Sequence, residues 1–214
     1  MALIHHTTLK PTKVELLTTW LPTRPWYQGG PATPELTKAG GFRLDDPEGE
    51  VGIEFMVATD ASGPAPAAYL VPLTYRGAPL DGAEHALIGT MEHGVLGKRW
   101  AYDGCHDPVL LAELLVLLQG RTQAMAQSIT DTPDDEVTHS CASTIETPLS
   151  TPTDTTESTE LHTTDSKLLR VHRVLHPTPL PPQEVLGHVT GAWQATADTR
   201  ARAVFVTLHA PSGS

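Results

Sequence analysis

Four side chains carry the types needed to recognise a polar ligand: Trp26, Tyr27, Trp100 and Asp103. Sugar sites combine aromatic faces with a few polar groups, and these residues would supply both if the fold brought them together. The same residue types also serve a core, where bulky rings anchor a helix to a sheet. Glycine clusters are the next candidates. Gly89-Thr90-Met91-Glu92-His93-Gly94 has the glycine spacing of a phosphate loop, but Val95 follows where Lys and Ser or Thr are needed. Gly94-Val95-Leu96-Gly97-Lys98 has the lysine, with its glycines too close together. Both stretches read as hairpin turns.

Metal and nucleophile chemistry finds no pattern. The closest groupings among 11 His are His5-His6, His85, His93 and the His172/His176 pair. Glu84 and Glu92 would join His85 and His93 only across an aligned hairpin, and no His-Glu-x-x-His occurs. No Gly-x-Ser-x-Gly elbow is present. The two cysteines, Cys105 and Cys141, have neither metal-ligand spacing nor a disulfide framework, which suggests a reduced, cytoplasmic setting. The sequence contains no Asn at all. That removes the magnesium-holding Asn of a kinase-type catalytic loop. The expectation is therefore no catalytic residues, no metal and no cofactor.

The elements that would position these side chains follow from local pattern. Thr12 with Glu15 forms a capping box before a short amphipathic helix over 13–21, which Pro22 stops. A weak strand over 3–9 precedes it. Residues 42–46 read as a strand, and Val51, Ile53, Phe55 and Val57 alternate as the clearest strand of the chain. A partner over 67–75 places Tyr69, Val71, Leu73 and Tyr75 on one face, with Pro72 marking an edge or a bulge. Strand-like pieces cover 86–90 and 98–102. Asp107 then caps a helix that opens on Pro108 and stops at Gly120. That helix is apolar around most of its girth and demands cover on more than one side. Residues 130–165 are rich in Thr, Ser, Pro and acidic groups, with scattered apolar residues and no period, so they are expected to be disordered. Three further strands, over 168–175, 185–195 and 201–209, look like the completion of the same sheet.

Composition narrows the partners. A net charge of −11 argues against nucleic acid and against an anionic membrane surface. The longest apolar run, residues 109–118, is too short to span a bilayer, and no signal-peptide pattern is apparent. Pro (19) and Gly (17) together with only 5% aromatic residues suggest a modest core with many turns.

The run Trp20-Leu21-Pro22-Thr23-Arg24-Pro25-Trp26-Tyr27-Gln28-Gly29 resembles the start of bacterial maltokinases and of the maltokinase-like segments joined to trehalose synthases. Typical members carry Arg directly before the second aromatic residue; here Pro25 holds that place and Arg24 lies one position earlier. The later Tyr102-Asp103-Gly104-Cys105-His106-Asp107-Pro108 is similar to the family's approach to its second helix. The resemblance implies an α+β cap with an antiparallel sheet curved around the 107–120 helix, in a cystatin-like architecture. It implies a cap-like domain beginning in residues 1–128, interrupted by the acidic insertion at 129–166 and completed by strands in 167–211. It also implies an association with trehalose, maltose or glycogen metabolism, with a carbohydrate-active enzyme or a kinase as partner. The expected function is a non-catalytic cap-like protein that docks on or regulates such an enzyme. The alternative is a small carbohydrate-binding module using the Trp/Tyr cluster. An independent enzyme is the third reading.

Overall fold

The computed structural model describes residues 9–127, 132–145, 147, 149–178 and 183–211. In chain order, β1 (Leu9–Lys10) leads to α1 (Lys13–Trp20), then β2 (Leu36–Leu44), β3 (Gly52–Asp60) and β4 (Ala67–Arg76). The hairpin β5 (Leu87–His93) and β6 (Gly97–Asp103) precedes α2 (Pro108–Leu118). Short strands β7 (Met125–Ala126), β8 (Thr138–Cys141) and β9 (Thr153–Asp154) follow. The described chain closes with β10 (Ser158–His162), β11 (Leu168–His172), β12 (Gly187–Thr196) and β13 (Thr199–His209). The fold is α+β, mostly antiparallel sheet with two short helices.

Local chemistry explains the helices. Thr12 Oγ1 accepts from the Glu15 amide at 3.2 Å while Glu15 accepts from the Thr12 amide at 2.7 Å, so the capping box forms as the spacing predicts. Asp107 caps α2 by accepting from the Val109 amide at 3.0 Å, and Gly120 ends it at φ +69°. Of the predicted first strand only Leu9–Lys10 falls among the described residues; positions 3–8, with His5 and His6, lie outside them.

The named strands pair antiparallel, eleven of them along one path, β1-β5-β6-β4-β3-β2-β12-β13-β11-β10-β9, with β7 on β2 and β8 on β12. This single 13-stranded sheet divides into two parts, a first and a second sheet. The first runs from β1 to β2 in that order and the second from β12 to β9. They meet at one junction through Gly40 opposite Trp193. They meet again where β4 bridges the chain just after β11. There the Leu70 amide donates to the Arg173 carbonyl at 2.9 Å and the Leu175 amide to the Ala68 carbonyl at 2.8 Å. The strands therefore form a ring.

Pro72 marks a fork in β4. Residues 68–70 pair with the chain at 173–175, whereas Leu73 to Arg76 pair with β6. Amides alternate in direction along a strand, so position 72 faces the same edge as Leu70, at the gap between the two partners. A residue without an N–H loses no ladder bond there. Gly104 turns the chain beside this gap, where a Cβ would lie 2.2 Å from Leu110 Cδ1.

Both faces of β3 and β4 are buried, which is why their apolar alternation is dense. Phe55, Val57 and Leu70 pack with Leu110, Leu114 and Leu117 of α2 and with Phe205 of the second sheet. Met56, Ala58, Tyr69 and Val71 lie on the other face beneath Leu17, Trp20 and Trp26. Phe42 stacks on Phe55 at 4.5 Å between ring centroids.

The expectation of disorder over 129–166 does not hold for the described residues there, which carry β8, β9 and β10. Several scattered apolar residues have a place in the core: Leu161 is fully buried, and Val137, Ile145 and Leu149 pack against the main cluster. Hydroxyls satisfy the turns, as where Thr163 Oγ1 accepts from the Lys167 amide at 2.9 Å. A composition rich in Thr suits strands as well as loops. The three C-terminal strands pair in the same 13-stranded sheet, as expected, with the first ending at His172 rather than continuing to 175.

Candidate functional site

The four side chains singled out for polar recognition do not form one surface. Trp26 is fully buried, 5.7 Å from Trp20 and 6.0 Å from Tyr69 between ring centroids. Tyr27 is half-buried and donates its hydroxyl to Asp60 Oδ2 at 2.9 Å. Asp60 also accepts from the Glu35 and Ser62 amides at 2.9 Å each. Burial pushes this carboxyl up, and the Ser62 and Tyr27 bonds more than reverse that. Trp100 stands apart, half-buried against Ala83, Ala86 and Tyr102 with Lys98 Nζ 5.0 Å from its ring. Asp103 is buried beside Trp26's neighbourhood, because both touch Arg173.

Arg173 is the centre that sequence reasoning missed. It is fully buried, with its guanidinium carbon 5.1 Å from the Trp26 ring centroid. Its Nη2 donates to both Asp103 oxygens, at 2.7 and 2.6 Å, and its Nε donates to Thr159 Oγ1 at 2.7 Å. Thr159 in turn donates to Asp154. Nη1, and Trp26 Nε1 nearby, have no hydrogen-bond partner among the described residues. Burial works against the guanidinium's charge, and the Asp103 carboxylate outweighs it, so the arginine stays ionised. Burial also pushes the neighbouring Cys105 thiol up, which keeps it an inert core residue. The ion pair spans the fork of β4, joining the end of β6 to the chain after β11.

Two further buried carboxylates hold the first sheet. Asp107 receives Arg76 through Nε and Nη2 at 2.7 Å each, a two-pronged bond that fixes the start of α2. Glu54 receives Lys13, Lys38 at 3.2 Å, Tyr75 at 2.8 Å and Gln127 at 2.9 Å. Burial alone would raise the Glu54 carboxyl, but Lys13, Lys38 and Tyr75 hold it at about 2. Its contribution to stability is complete above the ordinary carboxylate range and fades only as pH falls toward 2.

The histidines pair differently from the groupings in the sequence. His85 Nε2 lies 3.1 Å from His106 Nδ1, so one ring must donate and the other accept. His172 and His209 share the Thr207 hydroxyl at 3.1 and 2.8 Å. Among the described residues, no group of three or more His, Cys, Asp or Glu is placed to hold a metal ion. No helix among them is long and apolar enough to cross a membrane.

A signal for Arg173 was present. Leu169, Val171 and Leu175 set the apolar parity of that segment, and Arg173 occupies it. A charge on the buried parity of a strand requires a counter-charge, and only the fold shows that Asp103 supplies it. Glu54 likewise shares the parity of Met56 and Ala58.

Among the buried carboxylates of this α+β scaffold, Glu54, Asp103 and Asp107 are each neutralised by cations from distant segments. Residues 20–107 match the maltokinase N-terminal cap domain family. The matched region holds Trp20, Trp26, Asp103 and Asp107. No match to the chain was found among curated proteins. Arg173 and Thr159 lie beyond the matched residues, so the buried network joins the cap segment to sequence outside it.

Proposed function

We propose that this protein is a non-catalytic cap-like protein that docks on or regulates a partner enzyme of trehalose, maltose or glycogen metabolism. The single observation behind this reading is the cap match over 20–107, which ends on Asp107, the residue that starts α2. The buried state of Trp26, Asp103 and Glu54 supports a scaffolding role for the polar residues, since groups spent on one another are not presented to a substrate. In this reading the sheet has the curvature of a cystatin-like cap, and the setting is cytoplasmic. A pull-down from the native host is expected to recover a kinase or glucan-modifying enzyme; recovery of no carbohydrate-active enzyme would count against it. Incubation with ATP, magnesium and maltose is expected to give no phosphorylated product, and robust turnover would overturn the non-catalytic part.

The carbohydrate-binding alternative would draw on Tyr27 and Trp100, which both keep part of their surface open. Titration with malto-oligosaccharides while following Trp fluorescence separates the two readings. A saturable change at sub-millimolar sugar favours the module.

A further inference from the structure

The line between β4 and residues 173–175 carries less backbone bonding than the ladder on the other side of β4. Along β3 and β4, nine register pairs hold the strands together. Between β4 and residues 173–175 the backbone contributes the Leu70–Arg173 and Leu175–Ala68 bonds, and Arg173 adds its ion pair with Asp103 and its contact with the Trp26 ring. A fully buried pair stabilises weakly, because both ions have given up water to form it. When the strands part there, Asp103 and Arg173 regain hydration, and the unpartnered Nη1 gains a hydrogen bond. Opposing it is the apolar packing along the line, where Tyr69 and Val174 lie in one cluster and Leu70 and Leu175 in the other. The chain at 173–174 need not unravel as it leaves β4, since the amides of Arg173 and Val174 stay bonded to the Glu157 carbonyl at 2.8 and 3.1 Å.

We propose that the junction between β4 and residues 173–175 is the line along which the ring opens while both sheets stay folded, transiently freeing the β4 edge at residues 68–70. The opening is a local event with its own equilibrium, separate from global unfolding. Replacing Arg173 alone leaves Asp103 buried without a counter-charge and drives the junction open. Replacing both ions with apolar groups of similar size closes it.

Amide hydrogen exchange on the full chain, read residue by residue, tests this. In the wild-type protein Leu70 and Leu175 are expected to exchange at least tenfold faster than amides bonded across β3 and β4. The Val174 amide should remain as slow as the second sheet. Arg173→Met should accelerate Leu70 and Leu175 at least a further tenfold, and the double variant Asp103→Leu/Arg173→Met should slow them below wild type. If wild-type Leu70 and Leu175 exchange in step with the β3–β4 ladder, or Val174 accelerates together with them, the proposal is overturned. Because the wild-type comparison needs no variant, it decides the matter even if Arg173→Met loses protection everywhere.

Discussion

At one junction of the two sheets Gly40 faces Trp193; at the other, Ala68 to Leu70 face the chain around Arg173. The first is apolar and close. Trp193 is 2% exposed, and a Cβ on Gly40 would lie 3.2 Å from the Trp193 Cα. The second is ionic, with Asp103 and Arg173 both almost wholly withdrawn from water. Apolar contact is non-directional and tolerates imperfect substitution, whereas a buried ion pair depends on both members being present. The two junctions should therefore respond to mutation and to pH to different extents, although they close the same ring.

The largest expected effect is at the ionic junction. Arg173→Met should lower stability by about 3–5 kcal/mol in urea unfolding, because it strands a buried carboxylate. Arg173→Lys should recover little of this, since a lysine ammonium cannot reach Asp103 and Thr159 together from one planar group. A Lys variant of wild-type stability would show that the geometry of the guanidinium is irrelevant and would remove the contrast.

Acid should weaken the same side next. Burial lowers the imidazole of His172, with Arg170 and His209 adding to it, to about 4. The unfolded chain then binds a proton that the folded one refuses as pH falls from 6.5 to 4. Stability drops across that window by no more than about 3 kcal/mol. Melting temperatures measured from pH 7 to pH 4 should show the loss, and His172→Gln, which does not titrate, should flatten the profile.

A conservative change at the apolar junction should cost less. Trp193→Phe keeps an aromatic ring opposite Gly40 and is expected to destabilise by about 1–2 kcal/mol in thermal unfolding, as partial loss of a packed side chain does. A loss as large as that of Arg173→Met would make the two junctions equivalent. The smallest effect lies away from both. Thr12→Ala removes the α1 cap and should cost about 1 kcal/mol, visible as a small shift of the urea midpoint.

Much of this architecture is legible in the linear chain. The capping box at Thr12, the Asp107–Pro108 start of α2, and the alternation in β3, β4 and β13 depend on neighbours within a few residues, and they appear where the pattern puts them. The family resemblance was legible from Trp20 to Tyr27 and again at residues 102–108, and the cap match spans both stretches. The strands at 138–162 were not legible, because each apolar residue there answers to a distant core rather than to a local period. The site was less legible still. Trp26, Tyr27, Trp100 and Asp103 were found as residue types, yet their exposure and partners depend on Arg173, Asp60 and Lys98.

By itself, then, the sequence determined the helix boundaries, the buried parity of the main strands and the likeness to the cap family over 20–107, all of which are encoded by short-range spacing. Only the tertiary structure decided that Asp103 meets Arg173, 70 residues away, and that the second sheet closes on β4. The physical reason is that a charge on a buried strand face announces its need for a counter-ion but not which one, and that choice is made by topology.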